Sequence, residues 1–162
     1  MHTLDRINLL LALLVIGLAL ALWSTRHKGS QYPPLTDIDT AQVNELQLRE
    51  GARLKWSLLR DAQGWTMTHP KIATADPGTV EQLLTLSATP SLQSWPATTS
   101  ELAGFGLAEP QYQLLFDDRL VRFGDLSPTS RLRYVYHEGR VHLIGDGYLH
   151  HLLAAADRLL KP

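Results

Sequence analysis

The chain contains no cysteine, which excludes disulfides, Cys-ligated zinc, iron–sulfur clusters and a thiol nucleophile in one step. That absence does not identify a compartment, since a Cys-free chain survives in either redox environment. An excess of charge of one sign is missing too: 15 Lys+Arg stand against 16 Asp+Glu in 162 residues, for a net charge of −1 and a pI near 6.6. Nucleic-acid binders carry a basic excess, so that class is set aside. There is no Gly-x-Ser-x-Gly elbow, Walker loop, dinucleotide fingerprint or His-Glu-x-x-His pair, and no spacing of Ser, His and Asp singles out a triad. The expectation is therefore no catalytic residues, no cofactor and no resident metal. What is present is 44% hydrophobic residues, ordinary for a folded domain, but concentrated at one end.

From Ile7 to Trp23 only Asn8 and Gly17 interrupt an apolar run, and no charge does. As a helix it would span about 26 Å at 1.5 Å per residue, just short of the ~30 Å hydrocarbon core of a bilayer. Its Leu, Ile and Val residues contribute roughly −5 kcal/mol of insertion free energy. A buried core helix would keep a polar face, and this run has none. Ala19-Leu20-Ala21 fits a signal-peptide cleavage site, but Leu22-Trp23 would follow it and the charged region before it is thin. The expectation is an uncleaved single-pass anchor over residues 1–28, with its flanks. Arg26 and Lys28 against Arg6 give the positive-inside rule a one-charge preference for a cytoplasmic C-terminal domain.

Residues 29–36, with Gln31, Tyr32, Pro33 and Pro34, read as a short stiffened linker. The remainder, 37–162, is long enough for one hydrophobic core. Val43–Arg49 and Arg53–Arg60 alternate as two strands across a Glu50-Gly51 turn, and Gly64 precedes a third strand, Trp65–Thr68. Asp76-Pro77 opens a helix, as N-cap and first helical residue, with Val80, Leu83 and Leu84 as its buried face. Leu92–Trp95 is a short strand, and Thr98-x-x-Glu101 is a capping box for a helical turn that Gly106 ends. Gln111–Phe116 and Arg119–Phe123 meet across Asp117-Asp118, and Arg133–His137 and Arg140–Ile144 across Glu138-Gly139. A last helix from Asp146 buries Leu149, Leu152, Leu153, Ala156 and Leu160 at helical spacing. No internal repeat is visible. Short hairpin strands with two main helices make a small antiparallel α+β domain behind an N-terminal transmembrane helix.

The pieces Gly64-Trp65 with Pro70, Ala75-Asp76 with Val80 and Leu83-Leu84, and Phe105-Gly106-Leu107-x-x-Pro110 form a pattern. Phe123-Gly124, Arg133-Tyr134-Val135 and Val141-His142-Leu143-Ile144 continue it. From about Thr36 to Leu160 it resembles the domain-of-unknown-function 4340 family of bacterial, often membrane-anchored proteins. Some relatives look like accessory subunits beside ABC-type transporters, including those linked to gliding motility. The resemblance implies an anchor in the inner membrane with the domain on the periplasmic side, against the one-charge bias, and it brings no active-site residues.

Several residue groups are weighed as sites. Across a two-residue Glu138-Gly139 turn, His137 pairs with Arg140 and Val135 with His142. His137 and His142 then share a sheet face within ligand reach, with Glu138, His150 or His151 as a third ligand. Arg133 and Arg140 share that face and oppose a metal, and adjacent His150 and His151 point about 100° apart on a helix. We read these His as solvated. The five Arg between Arg119 and Arg140 read as a solvated face neutralised by Asp117, Asp118, Asp125 and Glu138, rather than an anion site. Asp117-Asp118 reads as a turn rather than an acid–base pair. Trp56, Trp65, Trp95, Tyr134 and Tyr136 read as packing. The expectation is a non-catalytic, membrane-tethered scaffold or accessory subunit that binds protein partners, with exposed edge strands as the contact. The alternative is a periplasmic small-molecule or metal-binding sensor using the His and Arg face of the last hairpin.

Overall fold

Alternating apolar residues build a single nine-stranded sheet. The computed structural model describes residues 11–18 and 32–160. The chain divides into Met1–Gln31 and Tyr32–Pro162. In the first unit residues 11–18 are helical. Leu11, Leu13, Leu14, Val15, Ile16 and Leu18 are each more than half exposed. Among the described residues no helix is long and apolar enough to cross a membrane; the rest of the expected span, 7–10 and 19–23, lies outside them.

The second unit is an antiparallel α+β domain. In chain order it runs β1 (Glu45–Glu50), β2 (Arg53–Asp61), β3 (Gly64–His69), β4 (Ala73–Thr74) and α1 (Pro77–Leu84). A 3-10 turn (Thr85–Ala88), β5 (Gln93–Pro96) and a second 3-10 segment (Thr99–Phe105) follow. Then come β6 (Tyr112–Phe116), β7 (Arg119–Leu126), β8 (Leu132–His137), β9 (Arg140–Gly145) and α2 (Gly147–Leu160). The strand order is β4-β3-β2-β1-β6-β7-β8-β9-β5. Two four-strand meanders, each followed by a helix, thus meet antiparallel at β1 and β6, where Leu48 pairs with Leu114. This is a repeat of topology that the sequence does not display.

Local chemistry explains the ends of the elements. Asp76 caps α1 by accepting from the Thr79 backbone N–H at 2.7 Å, with Pro77 in the first turn. Thr98 and Glu101 form the capping box, and Gly106 ends that segment in the left-handed conformation at φ 65°. Glu138 and Gly139 both have positive φ, 45° and 80°, the geometry of a two-residue hairpin turn whose twist matches the strands. The β1–β2 turn falls on Gly51-Ala52 rather than Glu50-Gly51, because Glu50 still pairs with Arg53.

Period-two alternation sends Leu46, Leu48, Trp56, Leu58, Leu114, Phe116, Val121 and Phe123 to one face, all buried. Val80 and Leu83 of α1 cover it together with Leu149, Leu152 and Leu159 of α2. Ala155 and Leu159 join the buried stripe of α2, while Leu153 is only half-buried. Each fully buried Leu contributes about 1.5–3 kcal/mol. On the opposite face a smaller cluster forms from Leu102, Leu107 and Val141, packed by Trp95, Phe105, Tyr134 and Tyr136.

The stretch read as a linker behaves differently in its second half. Leu35 and Thr36 are buried, 4% and 7% exposed. Their amides donate to the Thr89 and Ser87 carbonyls at 2.7 and 3.1 Å, and Ser91 N–H donates to the Pro33 carbonyl. Residues 33–36 therefore belong to the domain, because Leu35 has a place in the core and the 87–91 backbone supplies partners for its peptide groups.

Gly124 of β7 marks a close approach between the sheet and the end of the 3-10 segment over it. A Cβ there would lie 2.3 Å from the Phe105 carbonyl oxygen and 2.8 Å from the Leu107 side chain. At Gly104 a Cβ meets nothing within 4 Å. Gly124→Ala is expected to lower stability by about 1–3 kcal/mol, and Gly104→Ala to leave it unchanged. Urea unfolding midpoints of the two variants check this.

Candidate functional site

The last hairpin, the start of β7 and the docked connector converge at one end of the sheet. The turn geometry sets His137 opposite Arg140 and Val135 opposite His142, the register read from the sequence. Both His lie on the helix-covered face, but they are not solvated: His137 is 4% and His142 7% exposed. The cover comes from residues 33–37, which line a pocket together with His137, Glu138, Arg140 and His142. Reading 29–36 as a free linker left that face open to water.

The two imidazoles do different things. His142 Nδ1 lies 2.9 Å from the buried Ser91 Oγ. Burial, helped by the neighbouring His137 and Arg140, pushes the His142 pKa down to about 4. His137 Nδ1 lies 3.0 Å from the Leu120 carbonyl oxygen. A carbonyl only accepts, so Nδ1 carries the proton and Nε2 of the neutral ring presents a lone pair. His137 Nε2 is buried without a hydrogen-bond partner, with Glu138 Oε1 at 3.8 Å.

Around that nitrogen stand two carboxylates. Asp37 arrives with the connector and Glu138 from the turn, and their oxygens and His137 Nε2 all fall within 4.8 Å of one another. Arg119, at the start of β7, ties the carboxylates together. It bonds Asp37 Oδ1 through Nη2, and Glu138 Oε1 through Nε at 2.9 Å and Nη2 at 2.7 Å. The Arg119 hydrogen bond and charge hold the Asp37 carboxyl below its usual range, and both acids raise the Arg119 pKa. The convergent set is thus Asp37, His137 and Glu138, not His137 with His142. Asp37 was not singled out from the sequence; a carboxylate beside a buried connector residue gives no local signal.

No protein-family model, curated protein or solved structure matches this chain.

The remaining candidates disperse. Arg133 donates to Asp146 Oδ1 at 2.7 Å and to the Gly124 carbonyl. Arg122 lies over the Tyr136 ring, its guanidinium carbon 5.6 Å from the centroid. Arg140 donates to Ser94 Oγ. Arg119, Arg122, Arg133 and Arg140 thus go to different partners. His150 stands 3.3 Å from Asp146 in the next turn of α2 and His151 lines a separate pocket between α1 and α2. Asp117 occupies the β6–β7 turn at φ 55°, and its carboxylate accepts from the Asn44 and Glu45 amides at 3.0 and 2.8 Å. That is a fastening of the turn to β1. Trp95 packs edge-on against Phe105 and Tyr134, and Trp56 is fully buried.

A neutral, buried His142 makes stability depend on pH. The unfolded imidazole, near 6.5, takes up a proton before the folded one does. The His142 contribution is therefore whole above pH 6.5 and is lost as pH falls toward about 4. At about 1.4 kcal/mol per pKa unit this is worth at most about 3 kcal/mol. Melting temperature is expected to fall across that window, and His142→Gln to flatten the fall.

Proposed function

We propose that the chain is a single-pass membrane protein whose α+β domain is a non-catalytic binding module. The observation that carries this reading is the surface of residues 11–18, helical, uncharged, with six large apolar side chains exposed all round. A helix apolar on every side has no stable place in water, and these residues sit within the Ile7–Trp23 run. The resemblance to the domain-of-unknown-function 4340 family supports a periplasmic domain on the bacterial inner membrane, acting as scaffold or accessory subunit. ABC-type transporter subunits are the partner class it implies. Tethering raises the local concentration of the module, so a modest protein contact suffices.

The sheet itself favours a contact by side chains rather than by strand addition. Its edges are β4, two residues long, and β5, four residues ending in Pro96. Edges that short, one carrying proline, resist a partner strand. The face away from α1 and α2 is broader, and on it Gln47, Leu59, Gln113, Leu115 and Arg122 keep some exposure across β1, β2, β6 and β7.

The full chain is expected to stay with membranes through an alkaline carbonate wash. Deleting residues 1–28 is expected to release it. A phosphatase fused after Pro162 is expected to be active, reporting a periplasmic C-terminus. Recovery of the intact chain in the soluble fraction would sink the anchor reading, and an inactive phosphatase would reverse the orientation. Near-stoichiometric envelope subunits copurifying in mild detergent would support the scaffold role.

A further inference from the structure

We propose that Asp37, His137 and Glu138 form a binding site for a divalent transition-metal ion of the zinc class, one that staples the N-terminal connector to the β8–β9 turn. The proposal stands independently of the membrane reading.

His137 is the informative residue. Its Nδ1–H is committed to the Leu120 carbonyl, the arrangement that in metal sites fixes the tautomer and raises the basicity of the other nitrogen. Nε2 is buried with no hydrogen-bond partner, and an orphan acceptor of that kind destabilises the fold unless something occupies it. Glu138 Oε1, at 3.8 Å, is too far to take a proton from it in a hydrogen bond. It is at a suitable separation for two atoms sharing one ion. Ligand atoms about 2.0–2.2 Å from a tetrahedral zinc lie roughly 3.4 Å apart, so the observed span of 4.8 Å or less needs only a small contraction. Asp37 and Glu138 are exposed side chains and can supply that movement. His137 need not shift.

Charge and donor type select the ion. Arg119 bonds Asp37 Oδ1 and Glu138 Oε1. A carboxylate oxygen has lone pairs for more than one partner, so Glu138 Oε1 can meet the ion while it keeps Arg119, and each acid holds a second oxygen besides. With His137 binding through its neutral form, the two acids against Arg119 leave net charge −1, and Arg140 in the same pocket offsets it. The attraction for a divalent cation is then local to the two carboxylates and its affinity moderate. One imidazole with two carboxylates suits zinc and its neighbours and disfavours calcium or magnesium, which take oxygen ligands. Three protein ligands leave a position for water, and the pocket of about 340 Å³ beside them gives that water access.

The ion would join residues far apart in the chain, Asp37 to His137 and Glu138. Metal occupancy would therefore fasten the connector that follows the first unit onto the hairpin. The test is calorimetric titration of the chelator-treated full chain, in detergent, with zinc chloride and separately with calcium chloride. The expected result is one zinc per chain with a micromolar dissociation constant, and no saturable heat from calcium. Asp37→Asn and Glu138→Gln, both at exposed positions, should each weaken zinc at least about tenfold. Zinc should also shift the His137 Nε2 nitrogen resonance while Nδ1 stays protonated. Unchanged zinc binding in both variants would place the ion on other histidines, such as His150 beside Asp146, and overturn the proposal. Absence of saturation below millimolar zinc, or equal binding of calcium, would overturn it as well.

Discussion

One face of a nine-stranded sheet has to be taken out of water, and two short helices cannot cover all of it. α1 has eight residues and α2 fourteen, and together they roof Leu46, Leu48, Trp56, Leu58, Leu114 and Phe116. The end of the face beneath β7, β8 and β9 is closed instead by the connector, with Leu35 in the core and Pro33–Thr36 bonded to residues 87–91. Leu35, Leu86, Phe116, Val121 and Ile144 meet there. This closure decides how much of the last hairpin is buried, which peptide groups of 87–91 are satisfied, and where Asp37 is delivered.

The site's electrostatics follow from that closure. A connector held by Leu35 brings Asp37 to Arg119, and Arg119 gathers Glu138 from the turn. His137 and His142 lie beneath the same cover, yet they behave differently. His142 has a buried hydroxyl for a partner and stays neutral to acid pH, whereas His137 has one nitrogen committed and one open. An exposed hairpin of the same sequence would solvate both rings and would not favour either role.

Elements that depend on a few adjacent residues were legible in the sequence. Asp76-Pro77, the Thr98/Glu101 box, Gly106 and the Glu138-Gly139 turn all sit where local hydrogen bonding and backbone preference put them. Alternation likewise placed the strands Val43–Arg49 and Arg53–Arg60, whose Leu46, Leu48, Trp56 and Leu58 are buried. What was not legible depends on distant partners. The antiparallel meeting of β1 and β6 joins residues more than sixty positions apart, and with it comes the paired-meander topology that no sequence repeat announces. Proline and polar residues at 29–36 look like a linker until the Ser87 and Thr89 carbonyls are available to bond them. Without that cover, the shared face of His137 and His142 was read correctly but its burial was not, and Asp37 could not be placed beside His137 at all.

Amide hydrogen exchange at Leu35 and Thr36 in the full chain tests this closure most directly. Both amides donate to carbonyls across the docked segment, so they are expected to exchange as slowly as neighbouring sheet amides such as Val135. Exchange at the rate of an unprotected peptide at Leu35 and Thr36, with Val135 still protected, would contradict it. The connector would then be a free tether, and Asp37 would lose its fixed place beside His137.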